Sequence, residues 1–109
     1  MIIAIVGSRT LCIENLGEFI PDGVTQIISG GAKGIDSCAK EFALRSGIEL
    51  VEYLPDYQRY KKAAPLIRNR DIADCADEVL IFRDGKSRGT KYVMDYCDKK
   101  GKKYTVYRI

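Results

Sequence analysis

The chain contains no histidine. That removes every Ser-His or Cys-His nucleophile arrangement and the commonest general base, so any chemistry must use carboxylates, Arg, Lys, Tyr or the ligand itself. Its four cysteines, Cys12, Cys38, Cys75 and Cys97, are far apart and form no Cys-x-x-Cys pair. With no histidine to complete a zinc site they call for no metal, and they read as small buried thiols kept reduced. No apolar run approaches the length needed to cross a membrane. The opening residues, MIIAIVGSRT, show no basic leader, reach glycine at position 7 and lack a small-residue cleavage site. They are therefore expected to form a strand and not a signal peptide, and the expected compartment is the cytoplasm. Two familiar phosphate signatures are missing as well. There is no G-x-G-x-x-G, and GGAKGID lacks the lysine followed by serine or threonine that a P-loop uses on phosphate and magnesium, so neither an NAD dehydrogenase nor an ATPase is supported and no cofactor is called for.

What is present fits one domain. A chain of 109 residues, 46% of them apolar and 30% charged, has room for a single core, and no repeat, low-complexity stretch or linker divides it. The net charge of +3 is too small to imply nucleic acid by itself. Basic residues do cluster, at Arg59, Lys61, Lys62, Arg68 and Arg70, and again at Lys99, Lys100, Lys102 and Lys103. The second cluster brackets Gly101, where cations favour a helix end.

IIAIV (2–6) is a continuous apolar run, as expected of a strand buried on both faces. TQIIS (25–29), IELVEY (48–53) and EVLIF (78–82) repeat the pattern, and KYTVYR (103–108) alternates. Helical patterns lie between them. Ile35, Cys38, Ala39, Phe42 and Ala43 share one helix face before Gly47. Pro65 suits the first turn of a helix with Ile72, Ala73 and Ala76 on one stripe. Thr90, Val93, Met94 and Cys97 mark a further helix, and a shorter one is expected around 13–20. Strands alternating with helices imply right-handed crossovers. The predicted fold is a Rossmann-like α/β three-layer sandwich with a five-stranded, mostly parallel sheet, spanning residues 1–109 as one domain. LPDYQRYKKAA (54–64) is the one long irregular connection, and its length raises its chance of touching a ligand.

In such a sheet, ligands bind beyond the carboxyl ends of the strands. Three glycine-rich turns fall at that edge: GSRT (7–10), GGAKG (30–34) and DGKSRGT (84–90). Glycine lets backbone approach a ligand closely, and the first amides of a following helix attract phosphate. Each turn has a plainer explanation as a tight connection; three on one edge favour a phosphate site.

IVGSR near the start, SGGAKGID after the second strand, PLIRNRDI opening a helix and DGKSRGT after the fourth strand, in this order, resemble the SLOG superfamily, and in particular its small stand-alone members related to YspA and YpsA. The resemblance covers nearly the whole chain. The same Rossmann core is similar to that of the DNA-processing protein DprA (Smf), which binds single-stranded DNA, and of the Lonely Guy enzymes, which release a base from a nucleoside monophosphate. The resemblance implies a pocket for a nucleotide or nucleotide-derived ligand, in a module that senses or binds, and a homodimer. Single-stranded DNA is the less favoured partner, because the chain has no accessory domain and little basic excess. Against the Lonely Guy enzymes, Gly89 and Thr90 are in place but the glutamate position is Val93, which can neither stabilise a ribosyl cation nor transfer a proton. Asp95 is nearby but off that stripe. Phosphoribohydrolase activity is thus the alternative reading and a catalytic residue is not assigned.

Within the expected pocket, Gly7, Ser8, Gly30, Gly31, Ala32 and Gly34 would offer amides or close approach to phosphate, with Ser29 beside them. Asp84, Gly85, Ser87, Gly89 and Thr90 would form a second cradle. Arg9 and Arg68 would clamp phosphate with their planar forks, unless they are ordinary surface arginines. Asn69 is expected on the buried stripe at a helix start, facing either a base or ribose edge or a local backbone group. Asp36 either hydrogen-bonds ribose or simply complements the helix dipole. Tyr60 and Tyr57 would stack on a base or pack. Asp56, Asp71 and Asp84 are the remaining acids near the edge, and nothing in their spacing demands a metal.

Overall fold

Each interior strand alternates its side chains between two apolar layers, and this splits the core in two. The computed structural model describes residues 1–85 and 88–108, with the side chain of Arg88 left out. The strands are β1 (Ile2–Gly7), β2 (Gln26–Ser29), β3 (Glu49–Glu52), β4 (Glu78–Arg83) and β5 (Tyr104–Arg108). They pair in the order β3-β2-β1-β4-β5, and every pairing is parallel. On one face Ile3, Ile5, Ile27, Leu80 and Phe82 pack against α1 (Ile35–Ser46) and a short 3-10 turn (Leu16–Phe19). On the other, Ala4, Val6, Ile28, Val79 and Ile81 pack against α3 (Ala64–Cys75) and α4 (Arg88–Lys100). The chain runs from β1 outward to β3, then returns to the other side of β1 for β4 and β5. Right-handed crossovers in opposite directions put the helices on opposite faces, which produces the three layers.

The helices form where the apolar spacing predicts them. In α1, Ile35, Cys38, Ala39 and Ala43 are buried and Phe42 is half-buried, and Gly47 closes the helix in the left-handed conformation at φ 69°. In α4, Val93 and Cys97 are buried. Three readings shift. The helix expected around 13–20 is only the 3-10 turn, ending at Ile20 before the PDG bend. The 54–64 connection contains α2 (Tyr57–Tyr60), capped by the Asp56 side chain, followed by a 3-10 turn (Lys61–Ala63). Of the four thiols, Cys38 and Cys97 are buried while Cys12 and Cys75 are exposed, because Cys12 lies in irregular chain after β1 and Cys75 falls off the stripe of Ile72, Ala73 and Ala76. Phe19, Phe82 and Tyr107 form an aromatic group, with centroids 4.8–5.4 Å apart, that joins the 3-10 turn to β4 and β5. Among the described residues, no helix is long and apolar enough to cross a membrane.

Candidate functional site

Strand order reverses at β1, so the connections leaving β1 and β4 diverge to opposite faces and leave a crevice beyond their carboxyl ends. A cavity of about 320 Å³ occupies this place. Its walls include Gly7, Ser8, Arg9, Gly30, Ala32, Asp36, Arg68, Asn69, Asp84 and Gly89, all expected there from the sequence. A second hollow of about 340 Å³ shares Arg9, Gly30, Ala32 and Arg68 and adds Gly31, Lys33, Leu54, Pro55 and Tyr57. The two are lobes of one surface depression, with Arg9 exposed at their mouth.

Arg68 is the centre of the arrangement. It sits one turn into α3 on the sheet-facing side and is only 9% exposed. Its Nη1 donates to the Gly30 carbonyl at 2.7 Å and to the Tyr53 carbonyl at 3.4 Å, and its Nε donates to Asn69 Oδ1 at 2.9 Å. Asn69 therefore orients the guanidinium through its own neighbour. Burial lowers the Arg68 pKa, and the nearby Asp36 carboxylate opposes that shift. Asp36, in the first turn of α1 and 8% exposed, accepts the Ala32 N–H at 3.1 Å. Burial raises its pKa, against the Ala32 amide, Arg68 and Ser29, which favour the charged form.

The glycine turns are less open to a ligand than their composition suggests. The Ala32 amide is taken by Asp36, and the Gly31 amide donates to Ser29 Oγ at 3.5 Å. The first amide of α1, Ile35 N–H, donates to the Ser8 carbonyl at 3.4 Å. Gly30 is needed for close approach of another kind: a Cβ there would lie 2.6 Å from Arg68 Nη1. Gly34, at φ 73°, lets the chain pass under the Ser8 and Arg9 carbonyls, each 2.5 Å from where its Cβ would stand. These glycines seat side chains and neighbouring loops, and among the described residues Arg9 and Arg68 are the cationic side chains that line both lobes, with Lys33 joining them in the second.

The β1 and β4 turns are tied to one another. Asp84 N–H donates to Ser8 Oγ at 3.3 Å, and Thr10 Oγ1 donates to Asp84 Oδ2 at 2.9 Å. Thr10 lines the cavity too; it stands in the GSRT turn, and its position was the available signal. Leu66 was not singled out, since an exposed leucine in the first turn of α3 belongs to no motif, whereas Tyr57, expected to stack or pack, does line the second lobe.

Other expected residues fall elsewhere. Ser29 is fully buried behind the cavity wall. Gly85 is exposed and Thr90 is buried, and neither lines the cavity. Ser87 lies outside the described residues. Tyr60 lines neither lobe, and Arg59 covers its ring at 5.2 Å; Tyr57, 55% exposed, occupies the rim instead. Asp56 caps α2 through the Arg59 amide, and Asp71 is exposed. Val93 is 1% exposed within the core, while Asp95 pairs with Lys91 at 3.5 Å on the solvent side of α4.

The parallel sheet and the polar crevice at its reversal point define a Rossmann-like α/β three-layer fold. A family model described as DNA recombination-mediator protein A matches residues 1–56, just over half of the 109-residue chain, and the chain belongs to this DprA-like family within the SLOG superfamily. No curated protein and no solved structure matches it. The matched segment carries the β1 turn and GGAKGID; Arg68, Asn69 and Gly89 lie beyond it.

Proposed function

We propose that the chain binds a nucleotide or nucleotide-derived ligand in the crevice between the β1 and β4 ends, as a binding or sensing module. The observation that carries this reading is the buried Arg68, oriented by Gly30, Tyr53 and Asn69 at the wall of a cavity of about 320 Å³, with the exposed Arg9 at its mouth. The volume suits a unit of nucleotide size. Arg9 and Arg68 supply charge for phosphate; Asp36 accepts from ribose hydroxyls or a base N–H; Tyr57 offers a face for stacking. Turnover is disfavoured because the Lonely Guy glutamate position is the core residue Val93.

Single-stranded DNA is the second reading, and the family match favours it. Two adjoining lobes that share Arg9 and Arg68 would suit consecutive nucleotides of one strand. Titration calorimetry with nucleoside monophosphates, ADP-ribose and oligothymidylates of increasing length separates the readings. A free-nucleotide site gives saturable binding that is flat with strand length, while DNA binding gives affinity that climbs with length and falls steeply with salt. In either case Arg9→Ala, on an exposed side chain, should weaken binding about tenfold or more. No binding in any series overturns both readings, and release of free base from a monophosphate would reinstate the enzyme. The homodimer implied by the superfamily belongs to the same proposal; native mass spectrometry reads subunit number and any retained ligand together.

A further inference from the structure

Cys12 and Cys38 are distant in sequence and meet in the fold. Their sulfurs lie 2.7 Å apart, Cys12 exposed in the irregular chain after β1 and Cys38 only 7% exposed on the packed face of α1. Both line a hollow of about 420 Å³ on the α1 face of the sheet, with Glu14, Glu41 and Arg45 around them. Cys75 and Cys97 have no comparable thiol neighbour among the described contacts; Cys75 receives the Tyr53 hydroxyl at 3.2 Å.

We propose that Cys12 and Cys38 are a dithiol pair that a hydroperoxide converts reversibly to a disulfide, stapling the chain after β1 to α1. A bonded sulfur pair stands about 2.05 Å apart, so only a small approach is needed. The exposed Cys12 meets the oxidant. Its sulfur attacks the peroxide, the O–O bond breaks, an S–O bond forms, and alcohol or water leaves with the thiol proton. Cys38 sulfur then attacks the sulfenic sulfur; the S–S bond forms as the S–O bond breaks, and the hydroxyl leaves with the Cys38 proton as water. The hydrogen bond to Cys38 holds the Cys12 thiol above its ordinary pKa, and Glu41 and Glu14 add to this, so the reaction calls for excess peroxide at neutral pH. The staple joins residues 26 apart, and the segment it restrains leads directly from Ser8 and Arg9 at the cavity.

Trypsin separates the four cysteines, since Cys12 falls in 10–33, Cys38 in 34–40, Cys75 in 71–83 and Cys97 in 92–99. Native protein treated with hydrogen peroxide and mapped without reductant should yield 10–33 joined to 34–40, lost on adding dithiothreitol. Closing a loop of this size should raise the thermal midpoint by about 10 °C. Cys12→Ser should show neither effect, and Cys38→Ala serves as the second variant. Absence of the joined peptides from protein that remains folded by circular dichroism overturns the proposal. So does linkage through Cys75 or Cys97, or linkage with no rise in midpoint.

Discussion

Arg68 illustrates how one side chain serves both fold and site. Its guanidinium fills the space that Gly30 leaves and satisfies the Gly30 carbonyl. Arg68→Ala should lower stability by about 2 kcal/mol in urea denaturation, because a buried carbonyl loses a charged donor. Asp36 gives a pH signature. A carboxyl whose pKa is raised by folding holds its proton more tightly in the folded chain, so its contribution is lost as pH climbs above the ordinary value of 3.8. Asp36→Asn removes that loss. The thermal midpoint of the variant relative to the parent should therefore rise as pH climbs from about 4 through the raised folded value, and a constant difference would show that folding does not raise the Asp36 pKa. Gly34→Ala sets a Cβ against two carbonyls at a positive φ, and chemical denaturation should show a loss of about 2 kcal/mol or more. The presence of Arg68 and Asp36 in the pocket was legible from motif position. Their mutual arrangement was not, because which of Gly30, Tyr53 and Asn69 Arg68 reaches depends on where α3 lies over the sheet.

At the scale of elements, α4 sets where the chain departs from the Lonely Guy enzymes. Its apolar stripe places Val93 against the sheet with Cys97, so the position that carries a glutamate in the Lonely Guy enzymes faces the core here. Val93→Glu should lower stability by about 3 kcal/mol or more in urea denaturation without conferring base release, since it puts a carboxylate into the apolar layer of Ala4, Val6, Ile72 and Val79. Helices with clean stripes were legible because burial on one face imposes a 3.6-residue period. The 13–20 segment kept its apolar residues, Ile13 and Leu16, yet formed only a 3-10 turn. Contacts with Phe42 and the aromatic group at Phe82 and Tyr107 hold it, and these come from remote parts of the chain.

Over the whole molecule, the two apolar layers are made from alternate residues of the same strands, so neither can dissolve without the other. Thermal unfolding should be a single transition, with near-UV and far-UV dichroism coincident and an enthalpy of about 75 kcal/mol near 60 °C. Separate transitions would mean that one helical layer melts alone.

The order of strands, helices and turns, and the edge on which the turns gather, followed from the sequence, because apolar period and glycine placement are local constraints that the chain carries wherever it folds. What the glycines serve was decided only in three dimensions. Amides that look open to phosphate are taken by Ser29, Asp36 and the Ser8 carbonyl, and among the described residues Arg9 and Arg68 bring positive charge to both lobes. Hydrogen bonds and thiol contacts between residues tens of positions apart leave no period or spacing in the sequence. They exist only once the crossovers have brought their elements together.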